Sequence, residues 1–534
     1  MAMDILKQRY FLPNENPEQM FMRVAKYVAN GNSELEKLFF TSMSDLILLP
    51  NSPTLMNAGT DNPMLSACFV LPVPDSTPEI FDAVKFGALI QKMGGGTGYS
   101  FSQLRPRGWK VKSTLGIASG VVSFMKVFDA MTDTIKQGGK RRGANIGTLS
   151  IHHPDIIEFI MTKTAGLLQN FNLSVAITDE FMEACKNNKN YNLYNPKNGA
   201  KYEELEANKI MDLIAKTCYD CGDPGLLFMD EINRRHTILN EKIQTTNPCG
   251  ETPLLDNESC NLGSIDITKF YSESKFDWEM FSQIIGHGVK FLDNVIDVNK
   301  FPLPQIEEKT KQNRKIGLGV MGFAHLLFKM GIRYGSEDSL KLADKLSMFL
   351  YECAKQKSVE LGQELGSFPN KANSIYKHPI RNATLIAIAP TGTLSILANC
   401  SSSIEPVFQL SYQRIAMDQK YFVIDPVFEQ MLISLDYDPQ FTCQQMKTNK
   451  CLPEGLPEEW YKTLVTAKDI PPEQHVKMLA TWQRNTDNAV SKTVNLPNSA
   501  TPEDIKKIYL MAYDMKVKGI TVYRDGSKTG QVLS

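Results

Sequence analysis

Ala383-Thr384-Leu385-Ile386-Ala387-Ile388-Ala389 runs directly into Pro390-Thr391-Gly392-Thr393-Leu394-Ser395. The first seven residues carry no charge and end at a proline. A short, continuous apolar run bounded in this way reads as a strand buried on both faces, not as a half-exposed one. The glycine and small hydroxyl residues after it read as a turn that opens a helix. Cys68-Phe69-Val70-Leu71 behaves alike, ending at Pro72. Between such runs lie amphipathic stretches at 121–136, 277–297 and 337–365. Buried strands alternating with helices predict an α/β protein built on a parallel sheet or barrel. Residues 17–48 read as helical, with Met20, Phe21, Val24, Ala25 and Val28 at helical spacing. The chain therefore divides into an N-terminal helical segment, 1–50, and an α/β domain, 51–534. Within the latter, 413–475 is richer in polar residues and proline and reads as a peripheral insertion. No short internal repeat is present.

The length of 534 residues would suit three or four domains of ~150 residues, but closed α/β barrels exceed that size as one unit. A net charge of -1 gives no global attraction to nucleic acid or to an anionic membrane. No apolar run approaches the ~20 residues of a membrane span, and the N-terminus does not resemble a secretion signal. A cytoplasmic location is the expectation. Ten cysteines are too sparse for a disulfide scaffold. Cys218 and Cys221 have the C-x-x-C spacing, but no second pair follows, so helix packing is favoured over a zinc site and no metal ligand set is expected. Cys443 and Cys451 flank a polar segment and read as surface or local structure.

Asn247-Pro248-Cys249-Gly250-Glu251 carries the chemistry. If extended, Asn247, Cys249 and Glu251 would share one face. Pro248 and Gly250 disfavour an ordinary strand, so the segment reads as a constrained loop presenting a thiol, an amide and a carboxylate together. The alternative is an inert cysteine in a turn. The turn at 390–395 suits a phosphate, met by backbone N–H groups and a helix dipole; an ordinary helix N-cap is the alternative. Gly94-Gly95-Gly96-Thr97-Gly98 is neither a Walker A sequence nor a dinucleotide fingerprint and reads as a loop of close backbone approach. Gly138-Gly139-Lys140-Arg141-Arg142-Gly143 is a basic, glycine-rich loop, suited to a nucleotide or to solvent.

Eight segments together decide a family: NSPTLMNAGT (51–60), LSACFVLP (65–72), GGGTGYSFSQLRPRG (94–108), TTNPCGE (245–251), ESCNLGSIDI (258–267), RKIGLGVMGFAH (314–325), APTGTLSILANCSSSIEPVF (389–408) and NAVSKTVNLP (488–497). In these the chain resembles the catalytic subunit of ribonucleotide reductase, in the branch shared by classes I and II. The resemblance implies a ten-stranded α/β barrel of two five-stranded parallel halves, with the Cys249 loop as a central finger. It implies that Cys249 becomes a thiyl radical, that Glu251 and Asn247 act on the ribose hydroxyls, and that Cys68 and Cys260 form the reducing pair. The implied substrate contacts are Thr54, Gly95, Gly96, Thr391, Gly392, Thr393 and Ser395. Asp75, Ser76 and Arg105 match a deoxynucleoside triphosphate effector site, and Lys140, Arg141 and Arg142 lie on the loop that reads it.

The implied partners are a ribonucleotide substrate, a thioredoxin-like reductant and a second copy in a homodimer. The segment Gly519-Ile520-Thr521-Val522-Tyr523-Arg524-Asp525-Gly526 has one tyrosine where class I enzymes have a radical-carrying pair. Its wording resembles class II, which implies adenosylcobalamin. A class I chain needing a separate metal-containing subunit, and a silent nucleotide-binding paralogue, are the alternatives. An ATP-binding regulatory domain is not expected before the core, nor a redox cysteine pair at the C-terminus, the last cysteine being Cys451.

Overall fold

The apolar runs form strands because each is covered on both faces. In the computed structural model, residues 2–110, 116–137, 141–416, 419–449 and 452–527 are described. The strands that matter are β1 Leu48–Pro50, β2 Cys68–Leu71, β3 Gly96–Ser100, β4 Asn145–Ser150, β5 Phe171–Ile177, β6 Gly225–Phe228, β7 Ser259–Asp266, β8 Ile316–Met321, β9 Thr493–Leu496 and β10 Gly519–Arg524. Strands β2 to β6 are parallel neighbours in chain order. The second half begins with β7 and β8, also parallel. It continues through the 384–388 run, which meets β8 at Ile386 and reaches Val490 through Ile388. It ends with β9 parallel to β10.

The halves run in opposite senses and join twice. Cys68 pairs with Cys260 between β2 and β7, and Leu226 pairs with Ile520 between β6 and β10, both antiparallel. Two seams close the sheet, so the α/β barrel of five and five strands is the observed fold. Strand β1 adds to β7 antiparallel. The 384–388 run is less regular than a strand. The Asp487 carboxylate accepts the Leu385 and Ile386 N–H groups, each at 2.8 Å, where a neighbouring strand would supply carbonyls.

The outer helices match their sequence readings closely: Val121–Thr134, Trp278–Val298 and Glu337–Glu364. The 17–48 reading needs correction. It breaks into Pro17–Ala29 and Ser33–Ser44, then ends in β1. Asn30 and Gly31 adopt φ of +48° and +86°, which a helix cannot continue through. Tyr27 Oη donates to the Val298 carbonyl at 2.9 Å and ties these helices to the barrel wall.

Region 413–475 contains an antiparallel hairpin, Ser411–Ala416 with Gln419–Ile424, and short helices. His325 Nε2 lies 2.7 Å from Asp425 Oδ2 and anchors it. Cys443 is buried on helix Pro439–Asn449, so it is a core side chain and not a surface one; Cys451 lies outside the described residues. Cys218 and Cys221 sit in helix Ala207–Cys221, where the Cys221 thiol donates to the Thr217 carbonyl at 3.2 Å. Among the described residues no helix is long and apolar enough to cross a membrane.

Candidate active site

A small hairpin, Thr245–Thr246 with Pro253–Leu254, rises inside the barrel. Glycines of β3 make room for it. A Cβ on Gly98 would lie 1.8 Å from the Thr246 carbonyl oxygen, and one on Gly96 would lie 2.9 Å from Pro248 Cγ. The expected loop at 94–98 is therefore half strand, glycine-rich because another backbone crosses it. The Asn172 amide donates to the Pro248 carbonyl at 2.9 Å, and Ala489 N–H donates to the Glu251 carbonyl at 2.8 Å. Both halves of the barrel thus hold the finger.

The finger tip is not extended. Gly250 N–H donates to the Asn247 carbonyl at 3.0 Å, which closes a reverse turn, and Gly250 takes φ of +83°. The Asn247 side-chain oxygen accepts Thr252 N–H at 3.0 Å and braces the turn. Asn247, Cys249 and Glu251 still line one cavity of about 240 Å³, through folding of the turn and not through alternation.

Cys68, Gly96 and the 390–394 loop line the same cavity. Asn247 Nδ2 donates to the Cys68 sulfur at 3.2 Å. Cys260, buried behind, is the register partner of Cys68. Directly opposed residues in an antiparallel pair have Cα atoms roughly 4.5–5.5 Å apart, inside the roughly 4.4–6.8 Å that a disulfide spans. Both are free thiols here. Burial, and then the neighbouring Glu251 and Cys260, push the Cys68 thiol well up. Burial likewise raises Cys260, against the opposing Lys315 charge. Both groups stay protonated near neutral pH, able to donate hydrogen.

The 390–395 turn opens only a five-residue helix, Leu394–Ala398. Its anion preference therefore rests on loop amides and not on a helix dipole. Among the described residues, no protein group accepts the N–H of Gly392, Thr393 or Leu394. A Cβ on Gly392 would meet nothing within 4 Å. Thr391, at φ of +53°, accepts Ser403 N–H on its hydroxyl at 2.7 Å, and the Ser395 and Ser402 hydroxyls lie 2.8 Å apart. Those bonds shape the loop. Thr54 and Gly95 do not line the cavity: the Thr54 hydroxyl donates to the Leu65 carbonyl at 3.0 Å, and Gly95 packs on Phe69 and Ile90. Asn51, Ser52, Arg9 and Tyr10 line it instead. The first two fall inside a segment that carried the family resemblance. Arg9 and Tyr10 lie in none.

Asp75 and Arg105 come together beyond β2 and β3, with Arg105 Nε 2.9 Å from Asp75 Oδ2. Ser76 is the N-cap of helix Thr77–Lys92 and makes no side-chain capping bond. Lys140 lies outside the described residues, as do the side chains of Arg141 and Arg142, whose backbone forms a short strand.

Cys249 also lines a second cavity of about 250 Å³. Its walls include Asn172, Ser174, Ser491, Thr493 and Thr521. One thiol is thus shared by two separate spaces.

The family profile described as "Ribonucleotide reductase, barrel domain" matches residues 66–374 and 370–523, and "Ribonucleotide reductase, all-alpha domain" matches 1–63. This chain belongs to the ribonucleotide reductase family. It is 48% identical over 501 residues to the vitamin B12-dependent ribonucleoside-diphosphate reductase of Thermoplasma acidophilum, a match covering 92% of this chain and 65% of that protein. It is 41% identical over 558 residues to the protein of the same name from Mycobacterium tuberculosis, covering 100% of this chain and 80% of that one. The chain thus spans about two-thirds of the first relative and four-fifths of the second. The class Id ribonucleotide reductase alpha subunit of Actinobacillus ureae has the same fold, with a TM-score of 0.83 at 23% identity over 98% of this chain and 96% of that one. In this ribonucleotide reductase chain Val522 is a buried residue of β10, with Tyr523 next to it.

Proposed function

We propose that this chain reduces ribonucleoside di- or triphosphates to 2′-deoxyribonucleotides through a thiyl radical on Cys249. The observation that carries the reading is that Cys249 lines two cavities, one of which also holds Cys68, Asn247, Glu251 and the amide-rich 390–394 loop. A thiyl at Cys249 takes the 3′-hydrogen of the ribose. Glu251 accepts the 3′-hydroxyl proton, and Asn247 orients the hydroxyls. A thiol of the Cys68/Cys260 pair protonates the departing 2′-hydroxyl, which leaves as water. The two thiols give up two electrons in forming one disulfide, and Cys249 returns its hydrogen to C3′.

The similarity to vitamin B12-dependent reductases supports cobalamin as the cofactor. The second cavity suits the adenosyl end of such a cofactor: its hydroxyl and amide side chains can bond an adenosine, and a Cβ on Gly250 would meet nothing within 4 Å. When bound, adenosylcobalamin supplies a carbon-centred radical by homolysis. This chain's own residues hold the Cys249 sulfur at the wall between that space and the substrate. We further assign Asp75, Ser76 and Arg105 to a deoxynucleoside triphosphate effector, a thioredoxin-like dithiol to re-reduction, and a homodimer to the assembly.

Purified protein with a ribonucleotide, adenosylcobalamin, a dithiol and an effector should form deoxynucleotide, with a transient cob(II)alamin absorbance. Turnover by Cys249→Ser would refute the radical assignment. Product formed only with an added metal-containing subunit would overturn the cofactor assignment.

A further inference from the structure

The first ten residues carry no motif, yet they reach the reaction cavity. Ala2–Ile5 and the wider turn Leu6–Tyr10 pack onto the barrel mouth, with Ile5, Leu6 and Tyr10 buried. Tyr10 Oη lies 2.8 Å from Ser52 Oγ. The Tyr10 carbonyl accepts from Arg23 Nη2 at 3.3 Å, and Arg23 is paired with Glu15 at 2.7 Å. This bonding fixes the segment where Arg9 and Tyr10 form part of the wall facing Cys68, Cys249 and the 390–394 loop.

Among the described residues Arg9 is the only lysine or arginine on that wall. Among the described residues no carboxylate pairs with it and no acceptor takes its guanidinium. The loop opposite offers N–H groups without a positive charge, and the wall also holds the Glu251 carboxylate. A polyphosphate entering such a space meets partial charges and one repelling anion. A buried or half-buried anion needs a countercharge, and a guanidinium matches phosphate in shape and hydrogen-bond geometry.

We infer that Arg9 binds the phosphate end of the ribonucleotide, so that the N-terminal segment completes the substrate site. The inference rests on the reading of this cavity as the ribonucleotide site. Arg9 is a positioning and specificity residue: it separates nucleotides from nucleosides and takes no part in bond breaking. An interaction lost from a charged hydrogen bond corresponds to roughly tenfold to hundredfold in affinity.

The test compares the full chain with Arg9→Gln and Arg9→Lys, loaded with adenosylcobalamin and a dithiol. Arg9→Gln should raise KM for a ribonucleoside diphosphate about tenfold or more, with most of kcat kept, and Arg9→Lys should recover part of the loss. Calorimetric titration without cofactor should show wild-type protein preferring the diphosphate over the nucleoside, with that preference lost in Arg9→Gln. Unchanged KM and unchanged preference, in a variant that melts like wild type, would overturn the inference, as would a loss confined to kcat. Failure of wild-type protein to make deoxynucleotide would instead remove the functional reading beneath it.

Discussion

Cys68 and Cys260 stand opposite each other across an antiparallel seam, Cys68 at the start of β2 and Cys260 in β7. Elsewhere within each half the strands run parallel. The seam brings two residues far apart in sequence into direct register, with Asn247 of the finger donating to one of them.

That placement predicts a specific oxidation. One turnover without added reductant should link the Cys68 and Cys260 peptides, as read by mass spectrometry of a non-reduced digest. Because burial raises both thiols, iodoacetamide at pH 8 should label them slowly in folded protein and quickly after unfolding. A disulfide found at Cys218 and Cys221 instead would reject the pair.

Two glycines should respond differently to alanine. Gly98→Ala sets a Cβ 1.8 Å from the Thr246 carbonyl oxygen, so the finger must move. We expect activity to vanish and stability to fall by about 1–3 kcal/mol, the range for overpacking. Gly250→Ala meets no atom but holds φ of +83°. Its cost is about 1–2 kcal/mol of backbone strain, with measurable activity left. Urea unfolding and product assays on both variants check this; equal activity would contradict the role of β3 as the finger's bed.

Behind Cys260, Lys315 Nζ lies 2.6 Å from Glu258 Oε2, and each side chain is 1% exposed. Asn313 also donates to Glu258, and Lys315 lies 3.3 Å from His236 Nε2. Lys315→Met strands a buried carboxylate and should cost about 3–5 kcal/mol. The double variant Lys315→Met, Glu258→Gln should recover a good part of that. A double-mutant cycle in urea measures the coupling, and additive losses would show that the two residues act apart.

Lys518 gives a pH signature. Burial, then the Arg235 charge, push its ammonium down to about 7, against Asp487 and Glu231, and it donates to the Asp487 and Asn488 carbonyls. Its ordinary value is 10.5. Between these limits the unfolded chain holds a proton that the native chain lacks, so native stability gains as pH rises. Below pH 7 both states hold it and the full penalty stands. Relative to Lys518→Met, wild-type protein should therefore be at its greatest disadvantage near pH 6.5 and regain part of the difference by pH 9. A stability difference that is flat across that range would refute the assignment.

Much of the site was legible in sequence. Asn247, Cys249, Glu251 and Cys68 reach one cavity as expected, with Cys260 directly behind. The apolar runs and amphipathic stretches located strands and helices because those patterns are local, set by which faces of a segment must leave water. Other features were not legible because they depend on contacts distant in sequence. Thr54 matches a family segment but spends its hydroxyl on Leu65. Cys443 sits in a polar stretch yet packs inside.

What the sequence determined by itself is the set of chemical groups and the α/β alternation that carries them. Tertiary structure alone decided the two antiparallel seams, the crossing of the finger over Gly96 and Gly98, and the arrival of Arg9 at the cavity. The physical reason is that hydrophobic patterning says which side of a strand is buried but not which strand lies beside it. That choice is made only when the barrel closes, and closure sets Cys68 against Cys260 and brings the N-terminal segment to the barrel mouth.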